Sequence, residues 1–190
     1  NPLWHETGHK TAFKSKFLNE FFYYVSSYLA NFEPIRWRYT HFVHHGNTYS
    51  TENPFDYEIE YGNNLKETPK NLIINLIPFM ELVFFKKSIA YEIILHALGI
   101  KTKVMQNGIP EYAHAKAIFY SRVYVAIWLA IILWSILSAS WLPVLLFLLP
   151  KYYGRTLHKL VSFTQHAGLA RNIKDHRLTT REMYLNPILS

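Results

Sequence analysis

Five of the ten histidines fall into two tight groups, His5-Glu6-Thr7-Gly8-His9 and His41-Phe42-Val43-His44-His45. On a helix, residues four apart share a face at about 6 Å, so His5 can join His9 at one metal ion, and His41 can join His45 or His44. The neighbouring histidine of the second group projects about 100° away, toward a second ion beside the first. Neutral imidazole suits iron, zinc and copper. The chain has no cysteine, which excludes disulfides and thiolate sites and leaves imidazole and oxygen as the ligands. One histidine alone reads as ordinary surface or core; two helix-spaced groups together do not.

The first group is also a literal H-E-x-x-H, the zinc-protease pattern in which the glutamate is a general base. Such a site needs three protein ligands and one open position, so the histidines at 41 to 45 would be superfluous. Glu6 and Asp56 are candidates to orient ligating imidazoles, since metal-bound histidines commonly donate their other N–H to a carboxylate. His96 and His114 have no clustered partner and read as structural, and His158 as packing or interfacial.

These residues need elements to carry them. Residues 10 to 34 place aromatic and apolar side chains at spacings of three and four, an amphipathic helix whose stripe reads as core or interface. Pro34 closes it, and a second helical stretch carries Trp37 to Tyr49. Asn53-Pro54-Phe55-Asp56 and Gly62-Asn63-Asn64 mark a polar loop. From Leu72 to Leu98 apolar residues are broken by Pro78, Glu81, Lys86, Lys87 and Glu92, which predicts interfacial or packed helices.

The 28 residues from Val123 to Pro150 carry no charge. That is more than the roughly 20 of one membrane crossing and fewer than the roughly 40 of two. Lysines and arginines flank both ends, and the positive-inside tendency puts both flanks in the cytoplasm, which requires an even number of crossings. The expectation is a hairpin over 119–158, one helix from Phe119 to Ala139, a turn near Ser140-Trp141 and a return toward His158. The net charge of +7 admits a nucleic acid, an anionic membrane or an acidic protein as partner. The apolar run and 17% aromatic residues favour the membrane.

The same residues resemble the membrane fatty acid desaturases and their hydroxylase relatives, whose histidine boxes read HxxxH or HxxxxH, then HxxHH, then a later HxxHH. His5 to His9, followed by Thr11-Ala12-Phe13-Lys14-Ser15, resembles the first box. His41 to His45, preceded by Arg36-Trp37-Arg38-Tyr39, resembles the second. Phe163-Thr164-Gln165-His166-Ala167-Gly168-Leu169 and Asp175-His176-Arg177 are similar to the stretch after the hairpin in bacterial members, where a histidine joins the metal site. The resemblance gives that role to His166. Asp175 and His176 become candidates to support the ligands, His176 reading equally as a headgroup anchor or solvated surface.

What the resemblance implies is an all-α integral membrane protein: one domain over 1–190 with a transmembrane helical hairpin, and cytoplasmic and interfacial helices carrying a histidine-rich di-metal site. It implies two non-haem iron ions, O2 as co-substrate, a lipid acyl chain as substrate, and electrons from a ferredoxin or a cytochrome b5-like protein. It places the protein as multi-pass with the active site on the cytoplasmic face and no nucleic-acid partner. The later HxxHH is absent and the chain starts at Asn1-Pro2, so a fragment is expected, inactive alone, lacking the first membrane helices and the third box. The competing readings are a hydroxylase or epoxidase on the same scaffold, a membrane zinc metalloprotease, and a membrane metal transporter.

Overall fold

A computed structural model describes residues 2–52, 54–58, 77–154, 164–166 and 168–182, with the side chains of Pro2, Lys87 and His176 outside the description. Among the described residues the secondary structure is helical, and no strand occurs. The elements are α1 (Pro2–Gly8), α2 (Lys16–Ala30), α3 (Pro34–Gly46), α4 (Met80–Val83), a 3-10 turn (Phe85–Lys87), α5 (Ile89–Ala97), α6 (Lys103–Gly108), α7 (Glu111–Leu137) and α8 (His176–Thr179). The loop at 62–64, residues 72–76, and 155–158 with His158 lie outside the described residues.

The amphipathic helix begins later than its apolar stripe, at Lys16. Ser15 caps it by accepting from Leu18 N. Asn19 folds back on residues 13–15, its Oδ1 accepting from Phe13 N at 3.1 Å and its Nδ2 donating to Ser15 O at 3.0 Å. Local polar bonds outcompete the helix there. Asn31, left-handed at φ 56°, ends α2. Glu33 then caps α3 by accepting from the N–H groups of Ile35 and Arg36, and Pro34 stands at the first position, where a missing N–H costs nothing.

α1 packs on α2, α3 packs on α2, α6 and α7, and α5 packs along α7, while Tyr24 and Tyr28 of α2 stack on Tyr120 and Tyr124 of α7. Small residues make the approach close. Ala113, Ala117 and Ser121 follow one face of α7, and Ile35, Met105 and Ile109 close a core around the alanines. A second core is aromatic, built of Trp4, Tyr23 and Trp37. Between α3, α5 and α6 lies a nearly buried polar chain: Arg36 Nε to Glu92 Oε2 at 2.6 Å, Thr102 Oγ1 to Glu92 Oε1 at 3.1 Å, and His96 Nε2 to Thr102 Oγ1 at 2.8 Å. His114 Nε2 donates to the carbonyls of Met105 and Ile109, at 2.8 Å each. Both histidines serve packing, well apart from the two histidine groups along the chain.

α7 begins at Glu111 rather than at the expected Phe119, because Pro110 ends the connection from α6 and Glu111 suits a first turn. Its 27 residues rise about 40 Å. It is the one helix among the described residues long and apolar enough to cross a membrane. Only 17% of its most apolar stretch is buried, unlike the core helix of a soluble protein. The chain turns at 138–140 and comes back, setting Phe147 against Trp134 at 6.0 Å between ring centroids. The return is no uniform α-helix: Val144–Leu148 is a π-turn with Leu149 N bonding Val144 O at 3.1 Å, and residues 150–154 resume helix. Pro150 lacks the N–H that would continue the regular ladder. An apolar cavity of 730 Å³ lies beside this turn, lined by Trp128, Ile132, Ile136, Leu148 and Phe85 and by no histidine.

Candidate metal centre

α1 and α3 lie side by side, so that His5 and His9, the latter one residue past the end of α1, face His41 and His45. One ring nitrogen of each lies within 4.8 Å of the others. His41 Nε2 stands 3.0 Å from His9 Nε2 and 3.0 Å from His45 Nε2. Two nitrogens bound at about 2.1 Å to one ion, at right angles, are about 3.0 Å apart. A hydrogen-bonded cluster can satisfy one such contact per proton, whereas an ion satisfies all of them. His41 is buried, while His5 and His9 are partly covered and His45 is exposed, so the group opens to one side.

The opposite ring nitrogens are tied back to the protein. His41 Nδ1 donates to Glu58 Oε2 at 2.9 Å, and His5 Nδ1 to Glu6 Oε1 at 3.0 Å. His44 Nδ1 donates to Asp56 Oδ2 at 2.9 Å, and His166 Nδ1 to the Thr179 carbonyl at 3.0 Å. A proton held at Nδ1 leaves the Nε2 lone pair for a metal. Asp56 is itself cradled, accepting from Tyr49 N at 2.8 Å and Glu58 N at 2.9 Å. Glu58 Oε1 is buried with no hydrogen-bond partner among the described residues. An unanswered carboxylate oxygen behind a row of imidazoles fits a cation nearby better than a neutral core.

Electrostatics separates the rings. Desolvation, then the neighbouring His41, His44, His9 and His5, pushes His45 down to about 4. Desolvation, then the charges of His41 and His5, lowers His9. At neutral pH these two are uncharged, the form that binds metal. Desolvation also lowers His166, against its bond to Thr179. In His44 desolvation is outweighed by the hydrogen bond and charge of Asp56, so its pKa rises.

His44 does not join the first four. Its ring lies 5.4 Å from that of His166, edge to face, although the two are far apart along the chain. A clamp brings them together: Thr51 N donates to Asn172 Oδ1 at 2.8 Å, Arg171 Nη2 to Tyr49 OH at 3.0 Å, and the Arg171 guanidinium lies 4.7 Å over the Tyr49 ring. Asn172 and Tyr49 are both left-handed, at φ 58° and 63°. The structure therefore gathers the six sequence candidates as a group of four and an adjoining pair.

The supporting candidates fall differently. Asp56 stands behind His44. Glu6 is exposed, binding His5 and, at 2.7 Å, Thr11 Oγ1. Asp175 binds Arg177, at 2.6 and 2.9 Å. His176 opens α8, its side chain outside the described residues. Sequence reasoning missed Glu58, although its place two residues after Asp56 in the loop behind α3 was a usable signal, and it missed the Thr179 carbonyl, for which side-chain types carry none.

The family model described as fatty acid desaturase matches residues 1–190. Neither a curated protein nor a solved structure matches the chain.

Proposed function

The chain belongs to the fatty acid desaturase family, and from that premise we propose that it is a membrane-bound, O2-dependent enzyme that places a double bond in a lipid acyl chain. The observation that carries the reading is the convergence of the His5, His9, His41 and His45 nitrogens beside the His44–His166 pair. Members of the family use two irons, and the donors present fit them: imidazole nitrogens with carboxylate or carbonyl support behind. His5, His9, His41 and His45 would hold one iron, and His44 and His166 would contribute to the second. When bound, the pair supplies O2 activation and removal of hydrogen from adjacent methylenes.

The protein's own part is orientation. Glu58, Asp56, Glu6 and the Thr179 carbonyl hold the Nδ1 protons and turn each Nε2 inward. Glu6 is thereby engaged as a support for His5, which disfavours its use as a zinc protease's general base. Electrons would come from an acidic carrier such as a ferredoxin or a cytochrome b5-like protein, to which a chain of net charge +7 is complementary.

The same reading makes 119–158 a transmembrane hairpin with the metal centre on its cytoplasmic side. Support comes from the bare outer half of α7 and the return of the chain along it. Reagents reaching Lys103 and Lys174 from opposite sides of the membrane would exclude the hairpin. For the reaction, the complete protein is expressed in a heterologous host and its lipids are profiled. A new double bond dependent on O2 and iron is the expected outcome. A hydroxylated or epoxidised product would assign the sister reaction, and zinc-dependent peptidase activity without O2 uptake would overturn the oxidase reading.

A further inference from the structure

Gly8 interrupts the first histidine group, and its neighbourhood explains why no larger residue stands there. A Cβ at this position would lie 2.7 Å from Cζ3 of Trp37 and 3.3 Å from its Cη2. α1 can therefore approach α3 this closely only with a bare backbone against the indole. On its other sides the buried indole meets Trp4, with centroids 3.8 Å apart, and lies face to face with His41 at 4.1 Å and 18° between planes.

An imidazole turns easily about its last side-chain torsion, which has broad minima. For His41 that freedom is removed three ways. Glu58 holds Nδ1 at 2.9 Å, Nε2 points at His9 and His45, and Trp37 fixes the plane. Trp37 thus touches the ligand at the centre of one histidine group and the glycine inside the other.

We propose that Trp37 is a positioning residue for the metal centre: its indole sets the plane of His41 and, through Gly8, the separation of the α1 and α3 histidines. The proposal rests on reading these histidines as metal ligands. A tryptophan that merely filled the core would be replaceable by another apolar side chain with metal binding unchanged.

The test is Co(II) titration of the complete protein in detergent, followed by visible absorption, with thermal unfolding of the metal-free protein alongside. W37L should weaken Co(II) binding by about 10- to 100-fold, the range for residues that orient ligands, and alter the ligand-field spectrum. W37F, which keeps a stacked ring, should restore part of both. G8A should also weaken binding, by forcing the helices apart. The double variant G8A/W37F lacks the indole atoms that the added methyl group would strike and keeps only the milder contact with Tyr23 Cε2 at 3.2 Å, so its loss should be smaller than the product of the two single losses. Should W37L fail to fold, the G8A, W37F and double-variant cycle decides. Multiplying losses in that cycle, or wild-type affinity and spectrum in W37L, would overturn the role of Trp37 while leaving the metal centre in place. A wild-type protein that takes up no Co(II) would overturn the metal reading itself and the role with it.

Discussion

The group of four histidines and the His44–His166 pair are built on opposite principles. His5 and His9, and His41 and His45, are each one helical turn apart, so α1 and α3 need only lie side by side for all four rings to meet. The pair depends on a contact between segments more than a hundred residues apart, held by a few polar bonds at Tyr49, Thr51, Arg171 and Asn172. Helical spacing makes the first part robust. Loop closure makes the second conditional, since its bonds must offset the entropy of ordering the chain between.

The largest effect should follow from the residue shared by every short contact of the four. His41→Ala should cost the first iron more than the roughly 100-fold lost on removing an outer partner, and abolish activity, with membrane insertion unchanged. His44→Ala should cost the second iron and spare the first. Iron analysis of the purified variants checks both, and equal loss of both irons in each variant would erase the distinction between the two parts. His96→Ala, by contrast, should keep both irons and lower stability by about 1–3 kcal/mol through the lost bond to Thr102.

A smaller effect should follow from the clamp. Asn172→Ala removes the acceptor of Thr51 N and puts a residue with a Cβ, but no polar side chain, into a left-handed position, at a cost of about 1–2 kcal/mol. The second iron should then bind about tenfold more weakly while the first is unaffected, read as a shift in only the weaker phase of a metal titration. A shift in both phases would show the two parts to be one mechanical unit.

An effect on stability rather than on either iron acts on both parts alike, through the foot of α3. Burial raises the Glu33 carboxyl from 4.5 to about 7, against the backbone N–H bonds of Arg36 and Ile35 that lower it. Because the folded value lies above the unfolded one, its contribution is full below about pH 4.5 and is lost as pH rises through 7. Stability should fall across that window by up to about 3 kcal/mol, and Glu33→Gln should flatten the slope. Chemical unfolding at a series of pH values measures it; an unchanged slope in the variant would place the titration elsewhere.

Much of this was legible because periodicity is a local signal. The i, i+4 histidines predicted helical placement, and α3 carries His41 and His45 while α1 carries His5 and ends at Gly8, one residue before His9. The uncharged run predicted a long apolar helix, although α7 starts at Glu111 rather than Phe119 because polar residues are equally good in its first turns. The family match bears out the resemblance carried by the boxes. Glu58 and the seat of His166 were not legible, since both arise where loops meet helices. Nor was the start of α2: its aromatic stripe runs on through Phe13, but Asn19 and Ser15 bind the backbone there and stop the helix short.

The turn between α2 and α3 is tied to α7 and to the returning chain. Its carbonyls are answered by side chains, Tyr124 donating to Phe32 O and Tyr23 to Pro34 O, while the Asn31 side chain accepts from Trp128 and donates to Phe147 O. A turn wired this way can rest in an oily layer, where an unanswered carbonyl would be prohibitive. With the hairpin in lipid, as proposed, the ends of α2 and α3 could lie against its apolar helices with no polar group of the turn left unanswered there.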